Sequence, residues 1–225
     1  MGKITALTAQ IRNPDRVNVY IDGEFAFGLA YAAAAKLRIN QELSQPEIDT
    51  LQRQDTIEKA KDSAYRLISL RPRSSAEIQQ NLNRKGYDAE VIAQVITDLC
   101  ESDLLNDKAF AQYWVEQRDT FKPRSHLALR QELQQKGISR NLIDEVLTVS
   151  DESNAAHMAA EKKARQLSHL SETDFKKKLG QFLQRRGFNY DLTKEIVEEM
   201  WRQSASALLL ENDESDIQLP NDLSG

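Results

Sequence analysis

The sequence holds little of what covalent cross-links, metal centres and membrane spans require. Its single cysteine, Cys100, excludes an internal disulfide and a thiolate metal site, and we expect it to be a small buried residue on a helix. No apolar run approaches the roughly 20 residues of a membrane-spanning helix, and the N-terminus lacks the apolar core of a signal peptide. We therefore expect a cytoplasmic protein that does not enter a membrane.

Glycine and proline are also scarce, at 8 and 5 of 225 residues, whereas charged residues make up 29%. This composition favours helices over a β-sandwich. The net charge of −5 is local, because residues 211–225 contain five acidic residues and no basic ones, which leaves residues 1–210 neutral. We expect that acidic tail to be disordered.

The first 43 residues carry the period-2 alternation of a small β-hairpin ribbon. The turn signal is Asp22-Gly23, and we predict a three-residue loop, residues 21–23, that places Val19 opposite Phe25. A ribbon of this size is unstable alone. We therefore expect it to lean on the helix that follows.

A third strand at residues 4–8 and a linking helix at residues 44–73 complete the N-terminal region. The helix is predicted to begin at a capping box of Ser44 and Glu47. It is predicted to end before Pro72, because the residue that precedes a proline is disfavoured in helical conformation.

A unit of about 50 residues then repeats three times. Gly86, Gly137 and Gly187 are 51 and 50 residues apart, and each follows a basic residue and precedes an apolar one. Glycine in this place ends a helix in the left-handed conformation, and apolar residues at helical spacing flank it on both sides. The sequence therefore predicts a mainly α protein of tandem three-helix repeats in an elongated array, with modules at residues 74–121, 122–170 and 171–210.

Two short basic segments punctuate the repeat. Residues 70–74 read LRPRS and residues 121–125 read FKPRS, whereas the third module has Glu172-Thr173-Asp174 in that place. Proline ends one helix and serine begins the next, so we interpret both segments as structural joints whose basic side chains have a secondary role in binding. Helix N-caps are predicted at Ser74, Asp88 and Ser139.

The sequence contains no pattern that points to catalysis. It has no glycine-rich phosphate loop, and its three histidines lack partners at metal-ligand spacing. We therefore expect no catalytic residue, no cofactor and no metal. Phe110, Tyr113 and Trp114 could form a platform for stacking nucleic-acid bases, but their helical spacing favours a place in a module core.

Charge is segregated between the helices of each repeat. The second helices, at residues 88–103, 139–152 and 189–199, are acidic. Phosphate would repel them, which argues against a DNA-reading helix-turn-helix. The first helices and the joints are basic. They form either solvated faces whose charges complement helix dipoles, or a basic stripe that meets a polyanion or an acidic protein surface.

The basic stripe supplies the candidate binding residues of this protein. They are Arg71, Arg73, Arg84, Lys85, Lys122, Arg124, Arg130, Lys136, Lys162, Lys163, Arg165, Lys176, Lys177, Lys178, Arg185 and Arg186.

Three segments of the chain resemble the RecX family, whose members modulate the RecA recombinase. They read LRPRSSAEIQQNLNRKGYDAEVI, LCESDLLNDKAFAQYWVEQR and KPRSHLALRQELQQKGISRNLIDEVL. The hairpin and the linking helix also look like those of the longer members of the family. The third module departs from the pattern, since it lacks the Pro-Arg-Ser joint.

The resemblance implies a regulator rather than an enzyme. Members of the family bind the RecA filament on single-stranded DNA and restrain its ATP hydrolysis and strand exchange, in recombination, DNA repair and the SOS response. We expect this chain to act on that partner, without a cofactor and as a monomer. The charge pattern leaves an alternative open, a sequence-independent helical repeat protein that binds nucleic acid directly.

Overall fold

The computed structural model describes residues 1–11 and 13–215, with side chains described as far as Ser204. Its described residues form ten helices and four strands. They divide into two compact bodies, an N-terminal body from Met1 to Asn106 and a C-terminal body that begins at Asp107. No described helix is long and apolar enough to cross a membrane.

A four-stranded antiparallel sheet opens the N-terminal body. Its strands are β1 (Gly2–Gln10), β2 (Asn13–Ile21), β3 (Glu24–Ala30) and β4 (Glu42–Leu43), in the order β3-β2-β1-β4. The hairpin and the third strand are thereby confirmed, and β4 is an addition that the alternation pattern did not indicate. A single helical turn, α1 (Tyr31–Ala34), follows β3.

The hairpin turn differs from the predicted one. Ile21 pairs with Glu24, so the loop has two residues, Asp22 at φ 49° and Gly23 at φ 93°. This positive-φ pair matches the twist of the flanking strands, as an Asp-Gly hairpin turn normally does. A bulge after Val19 then shifts the register and places Val19 opposite Phe27. The predicted three-residue loop is wrong because the bulge, rather than the loop, brings these apolar side chains onto one face.

The sheet packs against the long helix α2 (Gln45–Ile68). Residues such as Ile4 and Leu29 are buried between them, and Arg16 of β2 places one terminal nitrogen 2.9 Å and 2.8 Å from the two carboxylate oxygens of Asp55 on the helix. The capping box is confirmed, since Glu47 accepts hydrogen bonds from the backbone and hydroxyl of Ser44. Those bonds lower the pKa of Glu47.

Three hydrophobic cores organise the remaining helices into three-helix bundles. Bundle 1 joins the second half of α2 to α3 (Ser75–Arg84) and α4 (Ala89–Glu101). Bundle 2 comprises α5 (Asp107–Phe121), α6 (His126–Gln135) and α7 (Arg140–Thr148). Bundle 3 comprises α8 (Glu152–Leu167), α9 (Glu172–Arg185) and α10 (Tyr190–Ser215).

The cores group the helices differently from the module boundaries that the repeat suggested. Each core takes in the helix before a glycine-linked pair, whereas the modules 74–121 and 122–170 placed that helix after the pair, and the module 171–210 contained only the pair. Ala60 and Ala64 of α2 are fully buried in bundle 1. The repeat predicts the positions of the glycine turns. It does not show whether the preceding or the following helix packs against each glycine-linked pair, because both have an apolar face.

The glycine turns themselves are confirmed. Gly86, Gly137 and Gly187 have φ values of 83°, 78° and 93°. In each turn the residue after glycine donates a backbone hydrogen bond to a carbonyl five residues earlier, as from Ile138 to Leu133 at 3.0 Å. This pattern is the helix-ending arrangement expected for left-handed glycine.

Serine side chains begin the helices that lead into those turns. Ser74 and Ser125 accept from backbone amides of α3 and α6, and Ser139 caps α7 as predicted. In bundle 3 Ser171 takes this role in place of a Pro-Arg-Ser joint. Helix α9 therefore has 14 residues, against 10 in α3 and α6.

Two expectations about single residues need correction. Cys100 is exposed rather than buried, because it lies outside the face of α4 on which Leu99 and Val95 fill the core. Asp88 occupies the N-cap of α4, but its side chain makes no capping hydrogen bond. The predicted acidic tail, residues 211–225, overlaps the last five residues of α10, and its remaining ten lie outside the described residues.

Candidate functional site

The basic residues of the first joint are held by their own body. Arg71 donates to both carboxylate oxygens of Glu77, at 3.1 and 2.8 Å. Arg73 donates from Nε to the carbonyl of Leu67 at 3.2 Å, which covers the end of α2. Arg84 and Lys85, at the end of α3, are exposed. The joint is therefore structural first, and the free charge in this region lies beside Gly86.

Glu132 gathers the cations of bundle 2 around itself. It accepts from Trp114 Nε1 at 2.8 Å and from Arg118 Nε at 2.7 Å, and it lies 3.1 Å from Arg124 Nε. Arg118 and Lys136 also contact the ring of Trp114, at 4.7 and 5.0 Å from its centre. Trp114 is thus partly buried in a charged setting, while Phe110 is 2% exposed in the core.

Several charges of the basic first helices form ion pairs with the acidic second helices. Arg130 of α6 pairs with Asp144 of α7 at 2.8 Å, and Lys176 of α9 lies 2.6 Å from Glu198 of α10. Lys176 also contacts Glu172 at 2.7 Å. Hydrogen bonds to Glu172 and then to Glu198 raise the pKa of Lys176. In bundles 2 and 3 the acidic second helices therefore neutralise part of the charge of the basic first helices.

Half of the sixteen candidate residues make no ion pair or side-chain hydrogen bond with another described residue. These eight free cations are Arg84, Lys85, Lys122, Lys162, Arg165, Lys177, Lys178 and Arg185. All eight are exposed. They are the candidates that remain available to an external anion.

Bundles 2 and 3 meet at the second joint, where a cavity of about 270 Å³ opens to solvent. We call it the joint groove. It is lined by Thr120, Phe121, Pro123, Met158, Ala159, Lys162, Lys163, Gln166, Phe182 and Arg186. The groove brings together three predicted cations, Lys162, Lys163 and Arg186, that are distant from Pro123 in the sequence.

The joint groove depends on a close approach between the second joint and the turn of bundle 3. Arg186 donates from Nη1 to the carbonyl of Pro123 at 2.7 Å, and its own carbonyl accepts from the backbone of Ser125 at 3.1 Å. A side chain at Gly187 would meet Ser125 Oγ and lie 3.2 Å from Ala128 Cβ. Glycine is therefore required here for contact as well as for its positive φ.

The electrostatics of the joint groove favour an anion. The guanidinium of Arg186 lies 4.5 Å from the ring centre of Phe182, and Lys163 Nζ lies 5.9 Å from it. Burial and then the nearby charge of Arg124 lower the pKa of Arg186. Of the described residues that line the groove, none carries a carboxylate. An anion that entered it would gain attraction without displacing an internal ion pair.

Phe121 is the residue of the joint groove that the basic pattern missed. It is 72% exposed and precedes Lys122. Leu70, which occupies the same place in the first joint, is 77% exposed. A large apolar residue repeated before both basic-Pro-Arg-Ser segments was the available sequence signal.

A serine–histidine pair lies outside the joint groove. Ser150 Oγ is 2.7 Å from His126 Nε2, and Glu152 lies 3.7 Å from the other ring nitrogen. Such a set resembles an activated nucleophile. Ser150 also donates to the carbonyl of Leu147 at 3.3 Å, near the end of α7, so the pair serves to join three helix ends. Among the described residues, no cluster of His, Cys, Asp and Glu could hold a metal ion.

Comparison with protein families matches four segments of the chain. Residues 2–44 match the Regulatory protein RecX N-terminal domain. Residues 60–99, 106–147 and 150–197 match the first, second and third three-helix domains of RecX. These three segments coincide with the bundles that the cores define, and the first begins inside α2 as bundle 1 does.

Individual relatives give the same result. Regulatory protein RecX of Clostridium botulinum (strain Eklund 17B / Type B) is 32% identical over 206 residues, which cover 88% of this chain and 96% of that protein. Regulatory protein RecX of Chlorobaculum tepidum is 41% identical over 138 residues, or 61% of this chain and 86% of that protein.

Solved structures resemble the fold. A crystal structure of regulatory protein RecX is 26% identical with a TM-score of 0.68, over 88% of this chain and 100% of the other. RecX from Lactobacillus salivarius is 27% identical with a TM-score of 0.57, over 65% and 97% of the two chains.

Proposed function

We propose that this chain, which belongs to the RecX family of regulatory proteins, binds the RecA filament on single-stranded DNA and restrains its ATPase and strand-exchange activity. The observation that carries the proposal is the series of four RecX domains, an N-terminal domain and three three-helix domains in order along one chain. The process it serves is recombination and DNA repair.

Regulation by binding rather than by catalysis fits the arrangement of charge. The eight free cations are exposed on the helices of the bundles or next to a helix end, where they can meet a filament without ordering a loop first. Their backbone is already ordered, so binding costs only the side-chain freedom, about 0.5–1.5 kcal/mol for each cation that it immobilises. We propose that the protein acts without a cofactor and as a cytoplasmic monomer. Sedimentation of the pure protein tests its oligomeric state.

ATP hydrolysis by RecA filaments on single-stranded DNA tests the proposal. We expect hydrolysis to fall as the protein is added, and an unchanged rate at a several-fold molar excess over RecA would sink it. The double variant Lys177→Ala/Lys178→Ala should inhibit several-fold less, since both side chains are exposed and free. Lys176→Ala is the matched control, because Lys176 is already held by Glu172 and Glu198.

Direct binding of nucleic acid is a second candidate function, favoured by the carboxylate-free joint groove and the free cations beside it. It predicts affinity for bare DNA that falls steeply with salt. Binding that requires RecA would reject it. If the Lys177→Ala/Lys178→Ala variant loses filament inhibition but binds bare DNA as the unchanged protein does, those lysines contact protein.

A further inference from the structure

We propose that the joint groove holds one nucleotide of a single DNA strand, with the phosphate at Lys162 and Arg186 and the base against Phe121. The inference rests on the proposed function, because it supplies the point at which this regulator touches the strand inside the filament. It assigns a binding role to Phe121, which the basic stripe did not include.

The cations of the groove lack an internal counter-ion. Lys162 makes no ion pair with a described residue, Lys163 donates to Gln166 Oε1 at 3.1 Å, and Arg186 donates to the neutral carbonyl of Pro123. The carboxylate of Glu132, which neutralises Arg124, is not among the lining residues. A phosphate is the anion that a guanidinium and an ammonium side by side bind well.

The exposed apolar residues of the groove favour a nucleotide over a plain anion. Phe121 exposes 72% of its surface beside these cations, and Met158 exposes 44%. A large apolar side chain that stays in water at the edge of a basic groove gains most from a flat aromatic partner. Stacking of a base on an aromatic ring is a recurrent, sequence-tolerant mode of single-strand binding.

The volume of the groove is suited to one nucleotide, and the exposed ring of Phe121 is suited to a single strand rather than a duplex. About 270 Å³ falls just below the range of pockets that enclose a whole small molecule. It suits one base and its phosphate, with the strand leaving on both sides. In a duplex the base faces are covered by their neighbours, so a contact with Phe121 selects a single strand over a duplex.

The test uses the full chain and a fluorescent single-stranded oligothymidylate in low salt, with binding followed by anisotropy. Phe121→Ala should weaken binding about tenfold with an unchanged salt slope, because it removes stacking and no charge. Lys162→Glu should weaken binding at least tenfold and reduce the log–log salt slope by about 0.7 or more, because it removes a phosphate contact. Leu127→Ala and Lys194→Glu are the matched controls. Both residues are exposed, lie in the same body outside the groove and should leave affinity unchanged.

A cross-link locates the base directly. An oligonucleotide with 5-iodouracil, irradiated in the complex, should form its main adduct at Phe121, which mass spectrometry of the digested protein identifies. A main adduct outside the groove overturns the proposal. So does equal affinity of Phe121→Ala and the unchanged protein, or equal affinity for the oligonucleotide and its duplex. Circular dichroism of each variant confirms that it is folded.

The same variants separate failure of this inference from failure of the proposed function. If Phe121→Ala and Lys162→Glu lose filament inhibition but bind the oligonucleotide normally, the groove holds an acidic protein surface. The inference is then wrong and the proposed function stands. If the unchanged protein binds the oligonucleotide through the groove but leaves RecA hydrolysis untouched, the proposed function is wrong and the inference stands.

Discussion

At the scale of single residues, three glycines of the helical bundles differ in what a side chain would meet at each of them. Gly86 and Gly187 both have positive φ, but a Cβ at Gly86 meets no heavy atom within 4 Å, whereas one at Gly187 meets Ser125 and Ala128. Gly180 lies inside α9, where its nearest neighbour would be Thr193 at 4.0 Å. The three sites thus separate backbone strain, crowding and helix propensity from one another.

Alanine substitutions at these sites should change the free energy of unfolding in three distinct ways. Gly86→Ala should cost about 1–2 kcal/mol, since it adds only left-handed strain. Gly187→Ala should cost about 2–4 kcal/mol, because crowding at the second joint is added. Gly180→Ala should stabilise by about 0.5–1 kcal/mol, since it improves an unstrained helix. Urea unfolding measures all three free energies. Equal costs at Gly86 and Gly187 would mean that Ser125 and Ala128 can move aside without cost, which contradicts the predicted crowding.

The ion pair between Arg16 and Asp55 carries a second residue-scale prediction. Both side chains are largely buried, at 16% and 4% exposure. Asp55→Ala leaves Arg16 without its counter-ion between β2 and α2 and should cost about 3–5 kcal/mol of unfolding free energy. Asp49→Ala, at an exposed position of the same helix, is the control and should cost under about 0.5 kcal/mol. A loss at Asp55 no larger than at Asp49 would contradict a buried pair.

At the scale of elements, ion pairs hold the acidic helices in register with their neighbours. In bundle 1 Lys61 of α2 places its amine 2.7 Å from Asp98 of α4. The hydrogen bond from Lys61, and then one from Gln94 at 2.6 Å, lower the pKa of Asp98 against the effect of burial. The acidic face of α4, which would repel phosphate, therefore also has a partner inside the fold.

The depressed pKa of Asp98 makes the link between α2 and α4 sensitive to acid. An aspartate whose folded pKa lies below its unfolded value stabilises the fold above that unfolded pKa of about 4, and the contribution disappears as pH falls through the folded pKa. Asp98→Asn should therefore be less stable than the unchanged protein by about 0.5–1 kcal/mol at pH 7. The two should converge as the pH falls below the folded pKa of Asp98.

Thermal unfolding between pH 7 and pH 2.5 measures this convergence. Asp62→Asn, an exposed change on α2, is the control and should show no comparable gap at pH 7. A difference between Asp98→Asn and the unchanged protein that stays constant over the whole range would show that the carboxylate charge contributes nothing to the pairing.

At the scale of the whole molecule, sequence periodicity predicts the three glycine turns, the helices around them and the small sheet. It fails where the answer depends on distant packing. Which helix packs against each glycine-linked pair depends on contacts between apolar faces that are distant in the sequence. The register of the hairpin depends on a bulge after Val19. The sequence marks Lys162, Lys163 and Arg186 as candidate binding residues but does not show that they lie together. They come together near Pro123 because Gly187 packs closely against Ser125.

The salt dependence of binding to a single DNA strand reports how many of the free cations contact phosphates. Eight exposed cations make no ion pair with a described residue. If about three phosphates are contacted, affinity for a bare single strand should fall roughly 20-fold between 50 and 200 mM salt, since each contact contributes about −0.7 to the log–log slope.

Substitution then assigns that slope to regions of the molecule. Lys162→Glu should flatten it, because the charge lies in the joint groove, whereas Lys194→Glu, at an exposed position of the same body outside the groove, should leave it unchanged. Anisotropy titrations at four salt concentrations give the slopes. A slope near zero for the unchanged protein would leave no phosphate contact to assign. The free cations would then serve the protein surface of the filament instead of its strand.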